Sequence, residues 1–331
     1  SELPGAVVFL PEPSLVQIFL YYSAVIGFTC LIRYKITNKK FSAVLICAAV
    51  LLILSLIKLP DKTPEIIYFS AGNADSFLIK TAGHDYFMID PAKTGYNSSK
   101  TPAEYIMLKY LRAKGIKELE AVILSHFDAD HAGGTLDILK NISVKKLYIT
   151  DVYEDTLLSG SIQNYAAENN IDEEIIENDK EIYNKSGFII TLLKPKGDLI
   201  RTENQKSLAV HISYKGRNFL FAGDGDIHSY SALPEKYKQD ITVMKSGHHG
   251  AKNTVNFEMV QNSKIFLLST GKNAYNHPHP ETIKAITEAG RKYYRTDRNN
   301  AVKVILKPDK TIIQNYQPRR KRFETSMVSG S

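Results

Sequence analysis

Near the middle of the chain the sequence reads Ser125-His-Phe-Asp-Ala-Asp-His-Ala-Gly-Gly134. This loop follows the apolar run Ala121-Val-Ile-Leu124, which predicts a buried strand. Four potential metal ligands lie within six residues of the loop, namely His126, Asp128, Asp130 and His131. Carboxylates this close would repel one another, and a divalent cation supplies the missing positive charge. A helix cap would use one or two of these groups and not four, so we interpret the loop as part of a metal site.

Three further polar loops follow predicted strands later in the chain. The run Phe219-Leu-Phe-Ala-Gly-Asp224 is an apolar strand that ends in Gly-Asp. The segment Lys245-Ser-Gly-His-His-Gly250 follows the predicted strand Ile241–Met244, and Asn273-Ala-Tyr-Asn-His-Pro-His279 follows the predicted strand Ile265–Leu268. Loops at the carboxyl ends of strands collect functional groups in α/β architectures, so we expect these loops to converge on the first one.

The remaining pattern predicts two similar halves of strands followed by helices. The first half opens with three short strands and continues with a helix, Pro102–Lys114. Its strands are Ile66–Phe69, Ser76–Ile79 and Tyr86–Ile89, with Lys146–Ile149 further along the chain. The second half has strands at Phe188–Leu193, Leu208–Tyr214 and Phe219–Phe221 before the later strands named above. This arrangement predicts an α/β fold with two sheets packed face to face and helices outside.

Two nearly uncharged runs, Ser14–Ile32 and Phe41–Ile57, precede this domain. As a helix the first would extend about 28 Å, enough to cross a bilayer. Both runs are apolar on every face, which favours a transmembrane helical hairpin over two buried core helices. The loop of residues 33–40 between them has four basic residues and no acidic one, which places it in the cytoplasm and everything after Lys58 outside it. We expect the chain to be part of a longer polytopic membrane protein.

Composition limits the other possibilities. The 331 residues are 44% hydrophobic and 23% charged, which excludes a disordered or fibrous chain. Both cysteines, Cys30 and Cys47, lie in the apolar runs, so the rest of the chain has no thiol for a disulfide, a zinc ligand or a nucleophile. The net charge of +7 permits a polyanionic partner. We expect two transmembrane helices in residues 1–60, one domain in residues 61–316, and a basic, disordered tail in residues 317–331.

The order of these motifs resembles the metallo-β-lactamase fold, whose first motif is His-x-His-x-Asp-His. More narrowly, it resembles the ComEC family of competence DNA-uptake proteins, in which this domain opens with Gly-Gln-Gly-Asp-Ser and closes with a Gly-His-Pro loop and a Tyr-Arg-Thr-Asp strand. Here those motifs are Gly72–Ser76, Asn276–Pro278 and Tyr294–Asp297. The resemblance extends from about Ile66 to Leu306. It implies a metallo-β-lactamase αββα sandwich preceded by a transmembrane helical hairpin.

The resemblance also implies the ligands of two divalent ions. One site, made of Asp130, His131, Asp224 and His249, has a complete ligand set. The other would use His126, Asp128 and a shared Asp224. It is poor in nitrogen, because Asp128 stands where the fold usually has its second His and no His lies near residues 204–207. Oxygen-rich sites suit Mn²⁺ or Mg²⁺ and histidine-rich sites suit Zn²⁺, so we expect Mn²⁺ to be favoured, with Zn²⁺ as the alternative.

The function that follows is metal-dependent hydrolysis of phosphodiesters. Asp130 would orient the nucleophile, and His248 or His277 would bind the phosphate or protonate the leaving oxygen. The resemblance implies that the substrate is DNA, with single strands favoured, and that the enzyme is a deoxyribonuclease degrading the strand that is not imported. The partners would be DNA, the membrane and the remainder of the uptake channel. The location would be the cell membrane, with the C-terminal domain extracellular or periplasmic.

Two alternatives stay open at the level of sequence. A weak second site would leave a domain that only guides DNA towards the channel. A different substrate would make the domain a small-molecule phosphodiesterase or a lactonase. Aromatic residues lining a narrow pocket would favour the small substrate and a basic open groove the polymer, and Tyr275 beside His277 does not decide between them. Lys245, Lys252 and Arg295 are candidate contacts to phosphate.

Overall fold

The computed structural model describes residues 13–34, 61–92, 101–151, 156–318 and 322–330, together with residues 43, 45–47, 49–51 and 53. The described chain forms two compact units. One contains the N-terminal helix α1, Leu15–Tyr34, and the other contains the strands and the helices that cover them. The two units are described separately below.

Helix α1 is the one helix of the described residues that is long and apolar enough to cross a membrane. Its mean hydropathy is 2.0 and only 6% of it is buried. The helix begins with a reciprocal cap, in which the backbone N–H of Ser14 donates to Oε1 of Gln17 and that of Gln17 donates to the Ser14 hydroxyl. The basic loop and most of the second apolar run, Phe41–Ile57, lie outside the described residues. The hairpin therefore stays a prediction.

Nine strands form the first sheet, in the order β16-β15-β14-β1-β2-β3-β4-β5-β6. Strands β1 to β3 form an antiparallel meander, whereas β3, β4, β5 and β6 run parallel. The strands are β1 Glu65–Tyr68, β2 Phe77–Lys80, β3 Tyr86–Ile89, β4 Glu118–Ile123, β5 Ser143–Thr150, β6 Asp172–Ile176, β14 Val302–Leu306, β15 Lys310–Gln317 and β16 Arg322–Gly330.

Seven strands form the second sheet, in the order β13-β12-β11-β10-β9-β8-β7. The strands from β7 to β10 are antiparallel, and β10 to β13 are parallel. They are β7 Lys180–Lys185, β8 Phe188–Leu193, β9 Ala209–Tyr214, β10 Arg217–Phe221, β11 Ile241–Lys245, β12 Ser263–Leu268 and β13 Lys292–Arg295.

Short helices connect the strands. The predicted helix Pro102–Lys114 is a π-helical turn, Ala103–Met107, that continues into α2. The remaining α-helices are α2 Leu108–Lys114, α3 Ala129–Ala132, α4 Thr135–Asn141, α5 Leu157–Glu168, α6 Ile227–Ala232, α7 Phe257–Asn262, α8 Pro280–Glu288 and α9 Thr296–Asn299. Single 3₁₀ turns occur at Asn204–Lys206, Glu235–Tyr237 and His248–Gly250.

Three apolar cores hold these layers together. The central core lies between the sheets and joins residues of both, such as Ile66 and Phe77 of the first and Phe188 and Phe219 of the second. A second core packs helices against the outer face of the first sheet, and a third packs helices against the outer face of the second. The layers are therefore helix, sheet, sheet and helix, which confirms the predicted αββα sandwich.

The C-terminal segment differs from the disordered tail that the charge run predicts. Residues 322–330 form β16, which pairs antiparallel with β15. The ring of Phe323 lies against that of Tyr316, with centroids 5.4 Å apart, and Lys303 lies 4.9 Å above the Phe323 ring. The prediction was wrong for this segment because it weighed the basic residues and not the strand-forming residues that follow them.

Candidate metal centre

The four polar loops meet at one edge of the sandwich, where β4, β10, β11 and β12 end. The first loop is fixed there by its backbone. The N–H of Leu208 donates to the Ser125 carbonyl, and the N–H of Asp75 donates to the carbonyl of Asp130. Gly223 has φ +53, and a Cβ at this position would lie 2.9 Å from that of Ser125. A glycine is therefore required where the second loop passes the first.

Four of the predicted ligands form one compact cluster. Asp130, His131, Asp224 and His249 each offer an atom, and these atoms all lie within 4.8 Å of one another. Nε2 of His249 lies 3.1 Å from Oδ2 of Asp130 and 3.9 Å from Oδ2 of Asp224, while Nε2 of His131 lies 3.0 Å from Oδ1 of Asp224. The structure thus brings together the complete ligand set, although the assignment of a metal to it stays a prediction.

The donor set fits a divalent cation. Nε2 of His131 and Oδ1 of Asp224 are fully shielded from solvent, yet within the described part of the chain neither has an aligned hydrogen-bond partner. Nε2 of His126 is buried and unpartnered in the same way. Buried polar atoms are nearly always paired, because leaving them unpaired costs about 1–3 kcal/mol each. Two carboxylates and two imidazoles facing one point satisfy that requirement when a cation binds.

The second predicted ligand set is looser. Nε2 of His126 lies 3.5 Å from Oδ2 of Asp128, and its ring centroid is 4.1 Å from that of His131. His126 is buried, whereas the Asp128 side chain is 58% exposed. Among the described residues, His126, Asp128 and Asp224 do not form a group as compact as the first cluster. A second ion there stays a prediction.

Two buried carboxylates that the sequence analysis did not select lie behind the cluster. Oδ2 of Asp90 lies 2.9 Å from Nδ1 of His131, and Asp90 also accepts hydrogen bonds from the backbone and hydroxyl of Ser125. Oδ2 of Asp75 lies 3.8 Å from the same Nδ1 of His131, and Oδ1 of Asp75 lies 3.7 Å from Nδ1 of His249. Asp90 therefore faces the outer nitrogen of His131, and Asp75 lies near the outer nitrogens of both imidazoles.

These outer contacts set the tautomers. The carbonyl of Ser269 can only accept, and it lies 3.0 Å from Nδ1 of His249. Nδ1 of His249 and Nδ1 of His131 therefore carry their protons, and each Nε2 is directed into the cluster.

Lys245 is a fully buried cation beneath the same cluster. Its Nζ bonds Asp75 and the Gly223 carbonyl and lies 3.5 Å from Oδ1 of Asp224. Burial alone would lower the pKa of Lys245, but Asp75 and Asp224 outweigh it and raise that pKa. The lysine is therefore charged and buried away from substrate. The predicted contact of Lys245 with phosphate was wrong. The other two candidates are already paired, Lys252 with Glu281 at 3.0 Å and Arg295 with Asp297 at 2.7 Å.

Charge in the cluster is strongly coupled. Burial would raise the pKa of Asp130, but the hydrogen bond with His249 and the charge of His131 hold it at about 2. Burial opposes protonation of His131, yet Asp224 and Asp90 raise its pKa well above the usual value. Asp224 is likewise held well below its ordinary pKa, against the effect of burial, by His131 and His249. These carboxylates are thus available as anionic ligands at neutral pH.

His248 and His277 form the outer rim of the cluster. Their ring centroids lie 5.3 Å apart, and Nε2 of His248 lies 3.8 Å from Oδ2 of Asp224. Burial lowers the pKa of His248, and burial together with His248 lowers that of His277 to about 4. Both rings are therefore neutral near pH 7. Nδ2 of Asn204 lies 3.4 Å from Nδ1 of His248, so an amide occupies the region where the family resemblance leads one to look for another His.

Comparison with known proteins identifies the superfamily and three relatives. Residues 70–255, more than half of the chain, match the family model of the metallo-beta-lactamase superfamily. The chain is 25% identical over 97% of its length to ComE operon protein 3 of Bacillus subtilis, of which it covers 43%. It is 25% identical over 80% of its length to competence protein ComA of Neisseria gonorrhoeae and over 87% to recombination protein 2 of Haemophilus influenzae, covering 36% and 34% of them.

The chain thus spans less than half the length of each of these relatives. The resemblance to the ComEC family is confirmed, because all three relatives match most of this chain. The fold, the superfamily and the buried carboxylate and imidazole cluster all indicate a metal-dependent hydrolase that binds divalent metal. By this match over its central 186 residues, together with its αββα sandwich, the chain belongs to the metallo-beta-lactamase superfamily.

Proposed function

We propose that this chain is a metal-dependent phosphodiesterase that cuts DNA, degrading the strand that is not imported during DNA uptake. The cluster of Asp130, His131, Asp224 and His249 carries the proposal, because it joins four ligands to two neutral imidazoles at an accessible rim. The names of the relatives, a ComE operon protein, a competence protein and a recombination protein, support DNA as the substrate.

Under this proposal the first ion is held by the compact cluster and the second by His126, Asp128 and Asp224. Divalent ions bound there polarise a phosphoryl oxygen and lower the pKa of water. Asp130 orients the nucleophile, since its carboxylate lies at the exposed side of the cluster. Three carboxylates among the six ligands make the set oxygen-rich for this fold, which supports Mn²⁺ over Zn²⁺.

The two rim histidines have a defined protonation state in this proposal. With lowered pKa values His248 and His277 are neutral near pH 7, so each can donate one N–H to a phosphate oxygen. Nδ1 of His277 is buried without a partner in the described residues. Protonation of the leaving oxygen would require one of them to take up a proton first.

The proposed location is the cell membrane, with the catalytic domain extracellular or periplasmic. Helix α1 is long and apolar enough to anchor the chain. The orientation depends on the four basic residues and no acidic one in residues 33–40. DNA, the membrane and the rest of an uptake channel are the proposed partners.

A nuclease assay of the detergent-solubilised chain tests the function. We expect labelled single-stranded DNA to be cut faster than duplex, and faster with Mn²⁺ than with Zn²⁺. Asp130→Asn and Asp224→Asn should abolish cutting and lower the metal content measured by elemental analysis, with far-UV circular dichroism unchanged. Asp240→Asn is the matched control, because Asp240 is exposed, pairs with Lys264 and has φ +49, a conformation that Asn tolerates.

The other outcomes identify the alternatives. Intact DNA that is still shifted in a gel would indicate a DNA-guiding module. No action on DNA together with hydrolysis of bis(p-nitrophenyl) phosphate would indicate a small-molecule phosphodiesterase. Normal metal content in both carboxylate variants would overturn the assignment of the first metal site.

A further inference from the structure

We propose that the ring of Tyr275 is a stacking platform for a nucleobase of a single strand whose phosphate lies at the metal centre. The inference rests on the proposed function and adds to it a binding subsite for the base. Tyr275 is 73% exposed, at the rim of the site. Most aromatic rings of the sandwich are buried in its cores, whereas this ring is exposed directly beside the rim histidines.

Tyr275 lies at the end of a row of rings that leads into the site. Its centroid is 5.7 Å from that of His277, with the planes inclined by 30°. The His277 ring in turn lies 6.5 Å from that of His249, the buried ligand of the cluster. Two ring-to-ring steps therefore connect the exposed tyrosine to the point where the scissile phosphate would bind.

The loop that carries Tyr275 is held by hydrogen bonds. The backbone N–H groups of Tyr275 and His277 both donate, at 3.0 Å, to Oδ1 of Asn273. The amide nitrogen of Asn273 donates to the carbonyls of Gly271 and His277 at 2.9 and 2.8 Å. The hydroxyl of Thr270 also donates to the His277 carbonyl, at 3.0 Å. The ring is thus presented by an ordered turn, which reduces the entropy lost when a ligand stacks on it.

The chemistry of this surface matches a base of a single strand. Every nucleobase has a π-face, so stacking on an aromatic side chain binds single strands with little sequence preference. A base within a duplex is already stacked on its neighbours and cannot use the platform without being unpaired. The exposure of Tyr275 also disfavours the alternative of a narrow aromatic pocket around a small substrate, because a ring that encloses a small molecule would be largely buried.

The chain has no tryptophan, which permits a direct test. Tyr275→Trp would create the single tryptophan, whose fluorescence reports stacking. In the detergent-solubilised full chain, with Ca²⁺ in place of Mn²⁺ to prevent cleavage, we expect saturable quenching on titration with oligothymidylate. An abasic strand of the same length should bind without quenching. Tyr105→Trp is the control, since Tyr105 is 43% exposed on the π-helical turn, outside the loops that form the site.

A second measurement concerns substrate affinity. Tyr275→Ala should raise the KM for single-stranded DNA about 5-fold or more and reduce the preference for base-bearing over abasic strands, whereas Tyr275→Phe should retain both. Absent quenching, equal quenching at Tyr105→Trp, or an unchanged KM in Tyr275→Ala would overturn the inference. If the parent chain cuts no DNA, the proposed function fails, and the fluorescence titration still decides whether the ring stacks on a base.

Discussion

Asp90→Asn should weaken metal binding without unfolding the protein. The Asp90 carboxylate accepts the Nδ1–H of His131 at 2.9 Å and the backbone and hydroxyl of Ser125 at 2.8 and 2.7 Å. An amide keeps the shape and one acceptor oxygen, which the backbone N–H of Ser125 can use. Its NH₂ group cannot accept from His131, so the imidazole loses both its anionic partner and the contact that fixes its tautomer.

The expected magnitude follows from this contact. Loss of such an outer partner typically costs 10- to 100-fold in metal affinity, about 1.4–2.7 kcal/mol. The assay is competition with a chromogenic chelator for Mn²⁺ and Zn²⁺, with circular dichroism to check the fold. Asp85→Asn is the control, since its carboxylate pairs at the surface with Tyr183 and Lys185. An affinity within 2-fold of the parent would refute the assignment of His131 as a ligand held by Asp90.

Three further expectations concern the rest of the chain. Lys245→Met should lower the free energy of unfolding by about 3–5 kcal/mol in denaturant titrations, because it leaves Asp75 buried without its cation. The double variant with Asp75→Asn should recover part of that loss. Additive losses in the double variant would contradict the pairing. His211 is buried, and burial lowers its pKa to about 4. Below the ordinary His pKa of about 6.5, the unfolded chain therefore binds a proton at this residue that the folded chain does not bind. His211 alone should therefore lower the stability by about 2 kcal/mol from pH 7 to pH 5, and His211→Gln should remove that share of the pH dependence. The predicted orientation can be tested by cysteine labelling in intact cells, with the natural cysteines replaced. Leu157→Cys, at an exposed position, should react with an impermeant thiol reagent, and Thr37→Cys should stay protected. The opposite result would reverse the orientation.

The sequence predicts the strands and the clustering of Asp130, His131, Asp224 and His249 because both signals are local. An apolar run followed by a dense polar loop identifies β4 and the loop after it without any tertiary information. Asp90 and Asp75 carry no such local signal. Asp90 reaches His131 only because β3 pairs in parallel with β4, with Ile89 opposite Ile123, so that the two strands end side by side. The one available hint was the acidic residue directly after the buried run Tyr86–Ile89.

The role of Lys245 was mistaken for a related reason. From sequence a lysine beside two histidines indicates a contact to phosphate, because surface lysines commonly serve that purpose. In the structure the residue is the last of β11, and all five positions of that strand are buried. The side chain therefore lies beneath the site, where Asp75 and Asp224 surround its charge. The direction in which Lys245 points depends on the residue at which its strand ends. Composition does not determine where a strand ends.

The burial of these charges bears on how metal and fold are coupled. Asp75, Asp90 and Asp224 are almost fully buried, and Lys245 and a protonated His131 lie among them as compensating cations. Because this compensation comes from the chain itself, the carboxylates need no metal to be tolerated in the interior. An ion bound at Nε2 of His131 would require that nitrogen to be unprotonated, so metal affinity should fall as the pH falls. The predicted ligands Asp128 and Asp130 are partly exposed, which leaves the rim open for an ion and its substrate to enter. Metal binding in this domain is thereby separated from folding, in contrast to small zinc domains whose cores depend on the ion.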